Sequence, residues 1–208
     1  MTVIDFGNAK ATARRVLLSG GDYEVSVSEH ADQIEAAQRL RFNVFNTEPG
    51  YSDAIGDAAT GRDADAFDEY CEHMLVRHLP TDKLVGCARV LPPPRAIAAG
   101  GWYSAGEFDL DELGGIRGET VEMGRAVVDA EHRSGSVTAM LWAAILNYLE
   151  ENSYRYLMGC VSVPLGAGPD RGRAIRGIRD RVSEDYAAPW KVRPHRPVTV
   201  DGAGRSAV

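Results

Sequence analysis

The chain has 208 residues, 44% of them hydrophobic and 25% charged, with a formal net charge of −7, which fits one globular domain or one domain with a tail. No apolar run approaches the ~18 residues of a membrane span. The first ten residues lack the basic-then-apolar order of a secretory signal, and Cys71, Cys87 and Cys160 form no disulfide framework, so a reduced, cytoplasmic setting is expected.

Residues 1–166 hold 14 Lys and Arg against 25 Asp and Glu, whereas residues 167–208 hold nine against five. The acidic body argues against nucleic acid as a partner. The basic end could meet an acidic partner or, as a peripheral contact, anionic lipid heads.

Residues 1–21 mix Ala, Arg, Gly and Asn without a period and read as a mobile arm. Tyr23, Val25 and Val27 alternate with polar residues, which predicts a strand. Asp32 with Glu35 resembles a capping box, and Ile34, Ala37, Leu40, Val44 and Phe45 follow at helical spacing. Pro49 and Gly50 end that helix, and the Gly-, Ala- and Asp-rich stretch to about residue 64 reads as a long surface loop. Residues 71–78 and 84–91 read as two arms of a hairpin around a turn at Thr81 to Lys83. Pro92, Pro93 and Pro94 cannot join a ladder, and residues 95–118 read as irregular, with a short helix near Asp109 to Leu113.

Residues 119–128 form a mostly apolar strand. After the loop His132–Ser136 comes a helix with Val137, Met140, Leu141, Ala144, Ile145, Tyr148 and Leu149 on one stripe and Asn152 as its stop. Residues 154–163 read as the next strand, so this strand–loop–helix–strand unit sets two strands in parallel. A last helix, about 170–186, carries Ile175, Ile178, Val182 and Tyr186 on one face. Its other faces carry Arg171, Arg173, Arg176, Arg179 and Arg181. From Pro189 on, strand candidates have four residues at most.

Several constellations carry chemistry. The loop of His132, Arg133, Ser134, Gly135 and Ser136 opens a helix, where unpaired N–H groups and the dipole favour an anion. The same residues also describe an ordinary helix start. Glu122 and Arg125 lie three apart in a strand, on opposite faces unless a bulge intervenes. A buried carboxylate there needs a task, such as taking a proton from an amine, or an arginine partner. Asp65 and Asp68 could hold an ammonium group or cap a turn, and Arg41 and Arg89 could pair with them. Phe42, Phe45, Phe67, Trp102, Tyr103, Phe108 and Trp142 could line an acyl tunnel or fill the core. Cys160 reads as a small core residue. There is no identifiable Ser/His/Asp set, Walker A sequence, dinucleotide fingerprint or zinc spacing.

Seven motifs then occur in a telling order. They are Leu40-Arg41-x-x-Val44-Phe45; Asp65-x-Phe67-Asp68-x-x-Cys71-Glu72-His73-x-Leu75-Val76; Val85-Gly86-x-x-Arg89-x-Leu91; and Tyr103-Ser104-x-x-Glu107-Phe108-Asp109-Leu110. Val121-Glu122-x-Gly124-Arg125, His132-Arg133-x-Gly135 with Leu141-Trp142, and Arg155-Tyr156-Leu157-x-Gly159-Cys160-x-Ser162 follow. Over residues 23–165 the chain resembles the ornithine-lipid N-acyltransferases, or hemolysin-like acyltransferases, of the GNAT superfamily. Their sister family is the acyl-homoserine-lactone synthases.

The resemblance implies an α/β (α+β) fold of GNAT type, with a mixed, mostly antiparallel sheet and flanking helices. It implies a flexible arm over 1–21, one acyltransferase domain over 22–188, and a tail over 189–208 in which the family's last strands are short or missing. Glu122, Arg125 and Arg89 then match the acyl-transfer site, Arg41, Asp65 and Asp68 the acceptor side, and His132 to Ser136 the pantetheine and pyrophosphate loop. The implied activity is N-acyl transfer from an acyl-carrier-protein or coenzyme A thioester to a small amine such as the α-amino group of ornithine, with no tightly held cofactor or metal. An acyl-homoserine-lactone-type synthase and a non-catalytic acyl-binding or partner-binding module are the competing readings. The basic last helix is expected to dock acidic acyl carrier protein.

Overall fold

The computed structural model describes residues 14–48, 56–163 and 171–197. Strands β1 (Arg15–Gly20) and β2 (Tyr23–Ser28) form a hairpin, turning at Gly21 with φ 57°. Helix α1 (Ala31–Thr47) follows, and a 3-10 turn at Ala66–Glu69 leads into β3 (Glu72–His78) and β4 (Lys83–Leu91). Next come the short helix α2 (Pro93–Ala98), β5 (Phe108–Asp109) and β6 (Thr120–Val128). The chain continues through α3 (Ser136–Glu151), β7 (Tyr156–Met158), α4 (Arg171–Asp185) and β8 (Arg193–Pro194).

The chain divides into two units. The first, residues 1–102 with 116–160, holds a six-stranded sheet in the order β1-β2-β3-β4-β6-β7. Every pairing in it is antiparallel except β6 with β7, the parallel pair that the helix crossover predicts. One sheet face packs Val25, Met74, Val76, Val90 and Val121 under the α3 stripe of Val137, Leu141, Ala144 and Ile145. The other packs Leu75, Cys87 and Val127 under Ala37, Leu40, Val44 and Phe45 of α1. The second unit, residues 103–115 with 161–208, holds α4 and the short antiparallel pair β5–β8.

Several expectations are corrected. The arm drawn over residues 1–21 loses residues 15–20 to β1, whose run Val16-Leu17-Leu18 does not alternate because the pairing shifts register there. Residues 1–13 lie outside the described residues, as does the loop over 49–55. The last part of the domain drawn over 22–188 groups with the second unit, and the tail contributes β8. Asp32 is not the cap of α1. That helix starts one residue earlier, at Ala31, with His30 carbonyl taking the first N–H bonds. The prolines end β4 as expected but also open α2, where a missing N–H costs nothing.

Strand β7 is three residues long rather than ten. Its parallel register ends at Glu122 opposite Met158, just before β6 bulges, and the chain then leaves the ladder. Cys160 is consequently exposed, not a core residue.

Candidate active site

The site grows from the α1 face of the sheet. Residues two apart in a strand share a face, so Arg89 lies on the side of Cys87, and His73 on the side of Leu75. His73 stands opposite Arg89, Arg89 opposite Gly124, and Leu91 opposite Glu122. Glu122, Arg89 and His73 therefore share the face that α1 covers, and all three are buried.

The bulge anticipated as the condition for joining Glu122 and Arg125 is present. Two steps on β4, Cys87 to Arg89, face three on β6, Val127 to Gly124. Arg125 takes up the extra length at φ 51°, in the left-handed region that few non-glycine residues enter.

Arg125 joins a cluster of alternating charge. Arg41, 1% exposed, donates from Nη2 to both carboxylate oxygens of Asp68 at 3.0 Å and from Nε to Asp63 Oδ2 at 2.9 Å. Arg89 donates to Asp65 Oδ1 at 2.5 Å and to Asp68 Oδ1 at 3.4 Å. Arg125 faces Asp63 Oδ2 at 3.1 Å and Asp65 Oδ2 at 3.4 Å. The Asp65 and Asp68 side chains also cap the 3-10 turn reciprocally, so turn chemistry and ion pairing coincide.

Three guanidiniums thus meet three carboxylates, and Glu122 is a fourth acid of the same sheet face. Burial works against the Asp68 carboxylate, yet the Arg41 and Arg89 cations outweigh it and hold its carboxyl below the usual range. Burial depresses the His73 imidazole, which stands in contact with the Asp68 carbonyl at 3.2 Å. Burial also pushes the Cys71 and Cys87 thiols up to about 12, so neither supplies a thiolate.

Three members of this cluster escaped the sequence reading. Asp63 alternates with Asp65 and so was visible as a second acid beside the motif. Gln38, three residues before Arg41 on α1, donates to Asp68 Oδ2 at 3.2 Å. His73 stood within a motif without a role attached to it.

The helix-opening loop borders a different feature. A cleft of about 350 Å³ is lined by Phe45 of α1 and Glu48 just after it, Ala126 of the bulge and Val128 beyond it, Arg133, and Thr138 in the first turn of α3. Gly135 precedes α3 at φ 100°, and Ser134 and Ser136 are exposed. Arg133 is tethered to Val128 carbonyl at 3.0 Å and pairs with Glu48. His132 turns elsewhere, bonding Tyr23 through Nδ1 at 2.9 Å and packing on His78. Of the candidate aromatics, Phe45 lines the cleft, Trp102 is buried and Trp142 is exposed on α3.

The acetyltransferase (GNAT) domain matches residues 40–143. The L-ornithine N(alpha)-acyltransferase of Brucella abortus is 34% identical over 200 residues, covering 90% of this chain and 69% of that protein. The chain belongs to the L-ornithine Nα-acyltransferase family of GNAT enzymes.

A second member of this acyltransferase family, from Rhodobacter capsulatus, is 32% identical over 145 residues, covering 67% of this chain and 56% of its own. The acyl-homoserine-lactone synthase LasI shares 16% identity over 79% of each chain, at a TM-score of 0.49. As in the expected fold class, the acyltransferase has a mixed, mostly antiparallel sheet with flanking helices. No helix among its described residues is long and apolar enough to cross a membrane.

Proposed function

We propose that this acyltransferase moves an acyl group from a thioester of acyl carrier protein or coenzyme A to the α-amino group of ornithine. The observation that carries the reading is the bulged strand β6, which puts Glu122 on the sheet face of the Arg/Asp cluster and leads on to the cleft at the start of α3. The names of the Brucella and Rhodobacter relatives support the acceptor.

Glu122 takes a proton from the acceptor ammonium through water, and the freed amine attacks the thioester carbonyl carbon. Backbone N–H groups of the bulged strand β6 are the donors for the oxyanion. The C–N bond forms, the C–S bond breaks, and the departing thiolate takes up a proton. Of the three acceptor-side residues, Asp65 has solvent reach and meets an ammonium group, while Arg41 and Asp68 hold it in place. Arg133, Gly135 and the first N–H groups of α3 face the phosphates of the donor.

The test is thiol release with acyl-carrier-protein and acyl-CoA donors over a panel of amino acids, with products identified by mass. We expect an N-acyl-ornithine, and a loss of about 100-fold or more in E122Q. Donor binding without turnover on any amine would replace this reading with a binding module.

A further inference from the structure

The bulge that organises the site is an unstable place for a side chain of Arg125's size. Its backbone lies in the left-handed region, between the Arg89–Gly124 and Cys87–Val127 pairs of the ladder, a conformation that surrounding contacts have to hold. Asp63 makes a closer ion pair with Arg125 than Asp65 does. Its side chain is 5% exposed, and the Oδ2 that accepts from Arg41 Nε at 2.9 Å also faces Arg125 Nε at 3.1 Å. Asp63 is itself fixed to α1 through its backbone: its N–H donates to Gln38 carbonyl at 3.1 Å, and its own carbonyl accepts from Arg41.

Neutralising Arg41 does not require Asp63, because Asp68 already accepts from that guanidinium through both oxygens. Asp65 accepts a hydrogen bond from Arg125 Nη2 at 3.4 Å, but it is also engaged by Arg89 at 2.5 Å and caps the 3-10 turn. What Asp63 adds is a bridge from α1 to the bulge.

We infer that Asp63 is a positioning residue for acyl transfer: it holds Arg125, and with it the bulged backbone of β6, in register with α1, and touches neither substrate. This rests on the reading of the site given above.

Full-chain D63N, D63E, R125Q and D63N/R125Q are compared with wild type by thiol release, with rates normalised to folded protein by circular dichroism. D63N is isosteric and uncharged; D63E keeps the charge and displaces it. Each is expected to lose about 100-fold in kcat, the cost of a small misplacement at the reacting centre, with both KM values unchanged. The double variant is expected to fall within about twofold of R125Q alone, since both substitutions act on one element.

A folded D63N, or a folded D63E if D63N does not fold, with wild-type kcat overturns the inference. So does a double variant whose loss is the product of the single losses. E122Q in the same assay keeps the two ideas apart. Full activity in E122Q removes Glu122 as the base, while the Asp63–Arg125 cycle is judged on its own result.

Discussion

Arg41 of α1 rests with its Nη2 3.0 Å from both carboxylate oxygens of Asp68, and both side chains are buried. The pair fastens the helix to the turn that carries Asp65, and Asp68 also receives Arg89 and Gln38. Removing its charge takes one of two carboxylate partners from each of two buried guanidiniums, leaving Arg41 to Asp63 and Arg89 to Asp65. D68N is expected to lose roughly 3–5 kcal/mol of stability, read as a lowered denaturant midpoint with an unchanged slope. Activity per folded molecule falls as well, because Asp65 loses the partner that closes its turn.

His73 gives this region a pH dependence. Burial depresses its pKa below the ordinary 6.5, with the Arg41 and Arg89 cations acting in the same direction and Asp68 opposing them. The folded protein therefore keeps His73 neutral where the unfolded chain already takes up a proton. Its contribution to stability is full above about 6.5 and is lost as pH falls from there toward the folded-state value. Thermal unfolding of wild type and H73F between about pH 7.5 and 5.5 checks this, about one unit either side of a free imidazole. The wild-type melting temperature should fall more steeply than that of H73F, and parallel curves would remove His73 as the cause.

How far the site could be read in advance depended on which interactions are local. Helix α3 followed from its apolar stripe, β2 and β3 from alternation, and β4 as the second arm of a hairpin around its turn, because each signal lies within one segment. Arg41, Asp65, Asp68 and Arg89 were legible through their motifs, and the cluster indeed brings them together. The bulge was not, since strand periodicity puts Glu122 and Arg125 on opposite faces and only pairing with β4 shows the extra residue. Asp63 was missed because its partners lie on α1 and β6, far from it in the chain. Cys160 was misplaced for the same reason: β7 ends where β6 bends, an event outside its own segment.

That bend makes Gly159 critical. A Cβ on residue 159 would sit 2.2 Å from the Met123 carbonyl oxygen and 3.4 Å from its carbon, a clash with backbone that no rotamer relieves. Gly159 is needed for close approach, since β7 leaves the sheet there while still touching β6. G159A is expected to cost about 1–3 kcal/mol and to push β7 off the strand that carries Glu122. Chemical denaturation measures the first effect and a lowered kcat the second. A wild-type midpoint would mean that the strands separate freely at this point.

Helix α4 is net basic in a chain that is acidic overall. Arg173, Arg179 and Arg181 are exposed, and the latter two are partly offset by Asp180 and Asp185 on the same helix. The first half of the helix carries Arg171, Arg173 and Arg176, with no Asp or Glu among residues 171–179. An acidic carrier protein would be steered by such a stretch, whereas the small coenzyme donor would not need it. Charges at the rim of an interface act mainly on encounter rates and weaken with salt. The triple variant R171E/R173E/R176E should raise the KM for acyl-carrier-protein donors by about tenfold, leave kcat unchanged, and flatten the salt dependence of kcat/KM. The KM for acyl-CoA should stay at the wild-type value. An equal rise for both donors would point to damage at the shared acyl site, and no rise for either would move carrier docking away from α4.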